Sequence, residues 1–112
     1  MRLLITALAL SLAAGAAQAA SFDCGKARKP DEKAVCADRL LNDKDVKMSV
    51  LYDINRHTLA MGGRGALQDA QHDWLAERRR CGGQRACLTR VYDRRLVELE
   101  RSMERIYSHG PF

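Results

Sequence analysis

The sequence is poor in the features that mark most nucleotide-binding and membrane-spanning proteins. Its 112 residues include two Pro, one Trp and 5% aromatic residues. No segment alternates apolar and polar residues for long enough to predict a strand. Without a strand that leads into a Gly-rich loop, nothing supports a nucleotide-binding site. No apolar run approaches the ~20 residues that a transmembrane helix requires, so we expect no transmembrane segment.

The N-terminus has the pattern of a cleaved signal peptide, which we assign to residues 1–19. A positively charged start precedes an apolar stretch over Leu3–Leu12, and Ala17-Gln18-Ala19 forms an A-x-A cleavage signature. Cleavage there leaves residues 20–112 as a single domain with 18 Lys+Arg against 14 Asp+Glu, a net charge of +4. The pattern predicts export of the Gram-negative type, to the periplasm or out of the cell.

All four cysteines, at positions 24, 36, 81 and 87, fall in the exported part. Two disulfides are the expectation for so small a domain in an oxidising compartment. The spacings C-x11-C and C-x5-C differ from the C-x2-C pairs of zinc sites, and the three His are not grouped with them. We therefore expect no metal site and no cofactor. Four cysteines allow three pairings, and the count alone does not choose among them.

Apolar residues recur at steps of three and four, which predicts helices throughout. The first helix is expected over 30–61, because Pro30-Asp31-Glu32 is a typical helix start. Gly62–Gly65 is expected to break it, followed by a second helix over 66–80 and a third over 85–108. The predicted fold is all-α, an antiparallel bundle or hairpin of three main helices stapled by two disulfides.

The expected helix lengths favour one disulfide pairing. At 1.5 Å per residue the three helices measure roughly 46, 22 and 36 Å. If the second helix folds back from the glycine turn, Cys81 lies ~15 Å from Cys36 along the bundle. A disulfide requires Cα atoms within ~7 Å, so local pairing of Cys24 with Cys36 and of Cys81 with Cys87 is favoured over crossed pairing. The long first helix should also extend past the second.

Three charged residues fall on faces that otherwise look buried: Asp45, Arg78 and Arg95. A buried charge has to be paired. We expect an Asp45–Arg78 or an Asp45–Arg95 bridge near the end where the second and third helices meet. A structural ion pair that fixes helix register is favoured over an anion or substrate site.

Arginine dominates the second half of the chain. From Gly63 onward there are ten Arg and no Lys, against seven acidic residues. The third helix carries a stripe opposite its apolar face, formed by Arg90, Arg94, Arg101 and Arg105. Arginine suits bidentate contact with phosphate or carboxylate, so the stripe is a candidate site for lipopolysaccharide, an acidic glycan or an acidic protein. The alternative is a solvated face with intrahelical pairs to Glu98 and Glu104. Nucleic acid is not expected, because interleaved aromatic residues are lacking and export removes the usual target.

The first helix has a second apolar stripe, formed by Val46, Val50 and Ile54. In a bundle a helix can bury two faces. If the stripe is exposed instead, it marks a homodimer or partner surface.

Catalysis is not expected. If all four thiols are paired, no cysteine nucleophile remains, and no serine has an obvious base nearby. The Asp53–His57 and Asp69–His72 pairs are typical of solvated helix surfaces. We therefore interpret the chain as a non-enzymatic binding protein whose partner is an unknown protein or an anionic envelope ligand.

An ordered series of Cys, Trp, Tyr and Arg residues carries a family resemblance. The series is Ser21-Phe22-Asp23-Cys24, Glu32-x-x-Val35-Cys36, Leu41-x-x-x-Asp45, Tyr52, Gln71-x-x-Trp74-Leu75-x-x-Arg78-x-x-Cys81 and Cys87-Leu88-x-x-x-Tyr92-x-x-Arg95. It resembles the LprI-type lysozyme-inhibitor-like domain, formerly a domain of unknown function in bacterial envelope proteins, over about residues 22–99. The resemblance implies an exported, helical, cysteine-paired domain, and the family name implies inhibition of lysozyme.

Overall fold

A computed structural model describes residues 20–109, and every regular element in that range is helical. A 3-10 helix at Cys24–Lys26 precedes four α-helices: α1 (Pro30–Ala37), α2 (Arg39–Thr58), α3 (Met61–Arg80) and α4 (Arg85–Ser108). The all-α prediction is confirmed, with four helices where three were predicted. None of the helices described is both long and apolar enough to cross a membrane. The expected signal peptide, residues 1–19, lies outside the described residues.

The first predicted helix is wrong as a single element, because it is interrupted at Asp38. The backbone of Asp38 is extended, and its carboxylate accepts hydrogen bonds from the amides of Leu40 and Leu41. Asp38 is thus the N-cap of α2, and a cap of this kind starts a new helix without Pro or Gly. The same carboxylate pairs with Arg85, which joins the start of α2 to the start of α4.

The predicted glycine break is also wrong. The connection between α2 and α3 is Leu59–Ala60, whose extended backbone is open to any residue, and α3 already includes Gly62–Gly65. Both α2 and α3 therefore have 20 residues, so the expected extension of one past the other is absent. Packing of the α3 apolar face offsets the poor helix propensity of glycine.

Helices α2 and α4 pack directly against each other and run in the same direction, and α3 runs back along both of them. Asp38 pairs with Arg85 near their starts, and Asn55 donates to the Leu99 carbonyl, at 3.4 Å, farther along both helices. Each helix contributes one apolar stripe to a shared core. The core side chains buried there include Leu41, Met48, Leu67, Trp74, Leu88, Tyr92, Leu96 and Leu99.

Two disulfides join neighbouring elements. Cys24 is bonded to Cys36, with Cα atoms 5.7 Å apart, and Cys81 to Cys87, with Cα atoms 5.5 Å apart. The first ties the 3-10 helix to α1, and the second ties the end of α3 to the first turn of α4. This is the local pairing that the helix lengths favour. Because Asp31 of α1 contacts Arg78 near the end of α3, both disulfides lie at the same end of the bundle.

Candidate binding surfaces

One polar residue from each α-helix meets in a buried cluster, formed by Asp31, Asp45, Arg78 and Tyr92. Arg78 Nε lies 2.8 Å from Asp31 Oδ2, and Arg78 Nη1 lies 3.7 Å from Asp45 Oδ1. The Tyr92 hydroxyl donates to Asp45 Oδ1 at 2.7 Å and accepts from Arg78 Nη1 at 3.3 Å. One of the two expected pairs, Asp45 with Arg78, is therefore present, but the closest partner of Arg78 is Asp31.

Aromatic rings close this cluster off from solvent. The guanidinium carbon of Arg78 lies 5.4 Å from the centre of the Phe22 ring and 5.8 Å from that of Trp74. The Ser21 amide donates to the second carboxylate oxygen of Asp45 at 2.6 Å. Burial raises the pKa of Tyr92, and the charge of Asp45 raises it further, so its phenol stays a neutral donor. The exposed fractions of Asp31, Asp45 and Arg78 are 1%, 0% and 5%. Because these charges are buried and paired with each other, we interpret the cluster as structural, linking the four helices.

Arg95 does not pair with Asp45, so of the two alternative bridges the described residues form the one with Arg78. The Nε of Arg95 donates to Gln71 Oε1 and its Nη1 to Glu98 Oε2, both at 3.1 Å. The physical reason is register along α4. Tyr92 lies three residues before Arg95 and already contacts Asp45, so Arg95 faces the next turn of α3.

Asp31 is the member of the cluster that the sequence pattern did not reveal. Its position suggested only an acid at a helix start, where it favours the positive end of the dipole. Nothing in the sequence separates it from its neighbour Glu32. The break at Asp38 turns α1 against the end of α3, and that turn buries Asp31 beside Arg78.

The second apolar stripe of the first predicted helix is exposed. Val46, Val50 and Ile54 have exposed fractions of 38%, 53% and 43%, and lie on the face of α2 opposite Leu41 and Met48. We call these three residues the α2 apolar stripe. Charged side chains flank it, and they are paired: Lys47 with Glu100 of α4 at 2.7 Å, and Asp53 with Arg56 of the same helix at 3.1 Å. Of the two alternatives, a buried second face and an exposed one, the described residues therefore show an exposed face.

The arginine stripe lies on the outer face of α4, with all four side chains exposed. Arg94 is engaged by Glu77 of α3 and by Glu98, the latter at 3.6 Å. Within residues 20–109, no ion pair is formed by Arg90, Arg101 or Arg105. Three of the four guanidinium groups are thus open to an anion.

Comparison with known proteins identifies one set of relatives. No family model matches the sequence, and no solved structure matches it. The chain is similar to Lipoprotein LprI of Mycobacterium bovis and of Mycobacterium tuberculosis, with 34% identity over 107 residues in each case. The match covers 86% of this chain and 53% of each relative, so the chain spans about half the length of the relatives it matches. The match confirms that the chain resembles LprI-like domains.

Proposed function

We propose that this chain is an exported, non-enzymatic binding domain of the cell envelope, and that its partner is a protein that docks on the α2 apolar stripe. The exposure of Val46, Val50 and Ile54 carries the proposal. Three branched apolar side chains on successive turns of one helix form a continuous apolar surface. Rimmed by charged residues, such a surface is typical of protein-binding sites.

Several features support export and a role without catalysis. All four cysteines are in disulfides, which fits an oxidising compartment and leaves no cysteine nucleophile. The composition of residues 1–19 is that of a signal peptide. The relatives are named as lipoproteins. His57 and Asp53, one of the two His–Asp pairs considered from the sequence, are both largely exposed, as a solvated helix surface requires.

Lysozyme is the partner that the family resemblance suggests. With a net charge of +4 on residues 20–112, a basic lysozyme would meet like charge at long range. Short-range apolar contact at the α2 stripe would then supply the affinity. Because salt screens the repulsion, inhibition should strengthen as ionic strength rises.

Lysis of Gram-positive cell walls tests this proposal. The purified protein is added to c-type, g-type and i-type lysozymes, and we expect slower lysis with at least one. Val50→Asp should abolish the inhibition, because it places a charge in the centre of the stripe. Val97→Asp is the matched control, since Val97 is 45% exposed on α4 and outside the stripe. Unchanged lysis with all three enzymes would remove lysozyme as the partner. A dimer in sedimentation that Val50→Asp dissociates would assign the stripe to a second copy.

A second candidate function is binding of anionic envelope components by the arginine stripe. The exposed Arg90 and Arg101, which lack ion pairs within the described part of the chain, favour it. We expect salt-sensitive binding to lipopolysaccharide that Arg90→Glu plus Arg101→Glu weakens. Arg79→Glu plus Arg80→Glu, at the exposed end of α3, makes the same change in net charge elsewhere. Equal loss in both double variants would indicate attraction by net charge and contradict a site on α4.

A further inference from the structure

A groove of about 670 Å³ opens at the end of the bundle away from the disulfides, between the end of α2, the start of α3 and the second half of α4. Its walls are mainly apolar, and they include Leu59, Ala66, Leu67, Leu99 and Ile106. Its volume is within the range of small-molecule sites, which combine apolar walls with a few polar groups. The α2 apolar stripe contributes no residue to it, and Arg105 is the one residue that it shares with the arginine stripe.

A buried cation with an unmet hydrogen bond lies in the wall of the groove. The Arg95 side chain is only 3% exposed, and its Nε and Nη1 are bonded to Gln71 and Glu98. Its Nη2 is buried and has no hydrogen-bond partner among residues 20–109. A buried donor without an acceptor costs ~1–3 kcal/mol, and more when it is charged. A ligand that brings an anionic oxygen to this wall would supply the missing acceptor.

The charges around the groove favour an anion. Arg105 lines it and forms no ion pair within residues 20–109, while Glu98, the acid in the wall, is shared between Arg94 and Arg95. Helix α3 begins at the same place, and its N-cap, Ala60, has no side chain that accepts from the first amides. Those free N–H groups add positive potential at the mouth.

We propose that this groove binds an amphipathic anion, an unbranched acyl chain with a single carboxylate or phosphate head. The head group accepts a hydrogen bond from Arg95, and the chain lies along the apolar wall toward Ile106. Residues 95 and 105 are ten residues apart on α4, which is about 15 Å along the helix. An extended chain of about ten carbons fits that length. Arg105 and the start of α3 attract the anion to the mouth.

Calorimetric titration with decanoate, decyl phosphate and decan-1-ol, each below its micelle concentration, tests the proposal. We expect saturable 1:1 binding of at least one anion. The alcohol should bind about tenfold more weakly than that anion, or weaker still, because it loses roughly one charge-assisted hydrogen bond. The tighter of the two anions identifies the head group as carboxylate or phosphate. Binding of the alcohol as tight as that of both anions, or no saturable binding at all, would overturn the proposal.

Variants locate the ligand. Ala66→Phe fills the groove from α3 and should weaken binding at least tenfold, whereas Ala70→Phe, one turn on and outside the groove, should leave it unchanged. Arg95→Gln should weaken the binding of the anions about tenfold without changing the affinity for the alcohol. The helical circular dichroism of each variant verifies its fold. Since Ala66 is exposed, Ala66→Phe remains informative even if Arg95→Gln fails to fold. Equal affinities of Ala66→Phe and wild type would place the ligand elsewhere.

Discussion

Replacement of Arg78 by Met should destabilise the domain more than any other single change at a charged residue. The Arg78 guanidinium contacts two buried carboxylates, Asp31 at 2.8 Å and Asp45 at 3.7 Å. Methionine fills much of the same volume but leaves Asp31 buried with no opposite charge. Loss of one partner of a buried ion pair costs ~3–5 kcal/mol, a large share of the ~5–15 kcal/mol that stabilises a typical domain.

Urea unfolding with the disulfides intact measures this loss. With a slope of ~1.5 kcal/mol/M for a domain of this size, the midpoint should fall by on the order of 2 M. Arg79→Met is the matched control, because Arg79 is the exposed neighbour on the same helix; we expect it to change the free energy of unfolding by less than ~0.5 kcal/mol.

The double variant separates a lost ion pair from lost packing. Asp31→Asn removes the charge that Arg78→Met leaves unpaired. The free energy of unfolding of the double variant should therefore exceed the value expected from adding the two single losses by ~1 kcal/mol or more. A loss below ~1 kcal/mol for Arg78→Met, or strict additivity of the two changes, would refute the view that this cluster holds the four helices together.

Two further predictions concern the pH dependence of stability. The hydrogen bond from Arg85, followed by that from the Leu41 amide, lowers the pKa of Asp38. In the unfolded chain this carboxyl gains its proton near pH ~4, so the stability it contributes is present above that pH and lost as the pH falls further. Asp38→Asn should therefore flatten the decline of stability below pH ~4, and equal slopes for both proteins would contradict the assignment. Burial, and then the charge of Asp45, raises the pKa of Tyr92, so the folded phenol keeps its proton above pH ~10 while the unfolded one loses it. Stability should fall above pH ~10, and less steeply in Tyr92→Phe; an alkaline decline of the same slope would show that other groups cause it.

Helix α4 was predictable from the sequence because three signals agree there. Its apolar residues recur at helical spacing, Cys81–Gln84 precedes it, and Gly110-Pro111 follows it; the helix occupies the predicted range, Arg85–Ser108. The break at Asp38 was not predictable in the same way. An aspartate inside an apolar-periodic stretch is equally consistent with an exposed helical position and with an N-cap. Only packing of α1 against α3 distinguishes the two.

The candidate surfaces were likewise predictable only in part. Periodicity identifies Asp45 and Arg78 as charges on buried faces, but it does not give their distances or show that Asp31 joins them. Periodicity also identifies the α2 apolar stripe, but it does not show whether that face of α2 is buried. That outcome depends on how many helices surround α2. The described helices pack against the Leu41 and Met48 face of α2, and Val50, on the opposite face, is exposed.

Replacement of glycine by alanine should have opposite effects on stability at Gly65 and at Gly82. The two changes test whether residues 62–65 form a turn, as the sequence predicts, or the start of α3. Gly65 lies inside α3, and a Cβ added there meets no atom within 4 Å. Gly65→Ala should stabilise the domain by ~0.5–1 kcal/mol, since alanine loses less backbone entropy in a helix. Gly82, between the bonded Cys81 and Cys87, has a φ of +56°, where alanine is strained by ~1–2 kcal/mol, so Gly82→Ala should destabilise it. Both changes restrict the unfolded chain in the same way, so their difference in urea midpoint reports the folded state alone. A destabilising Gly65→Ala would mean that residues 62–65 form a turn in solution, and the helical start of α3, with the groove beside it, would have to be abandoned.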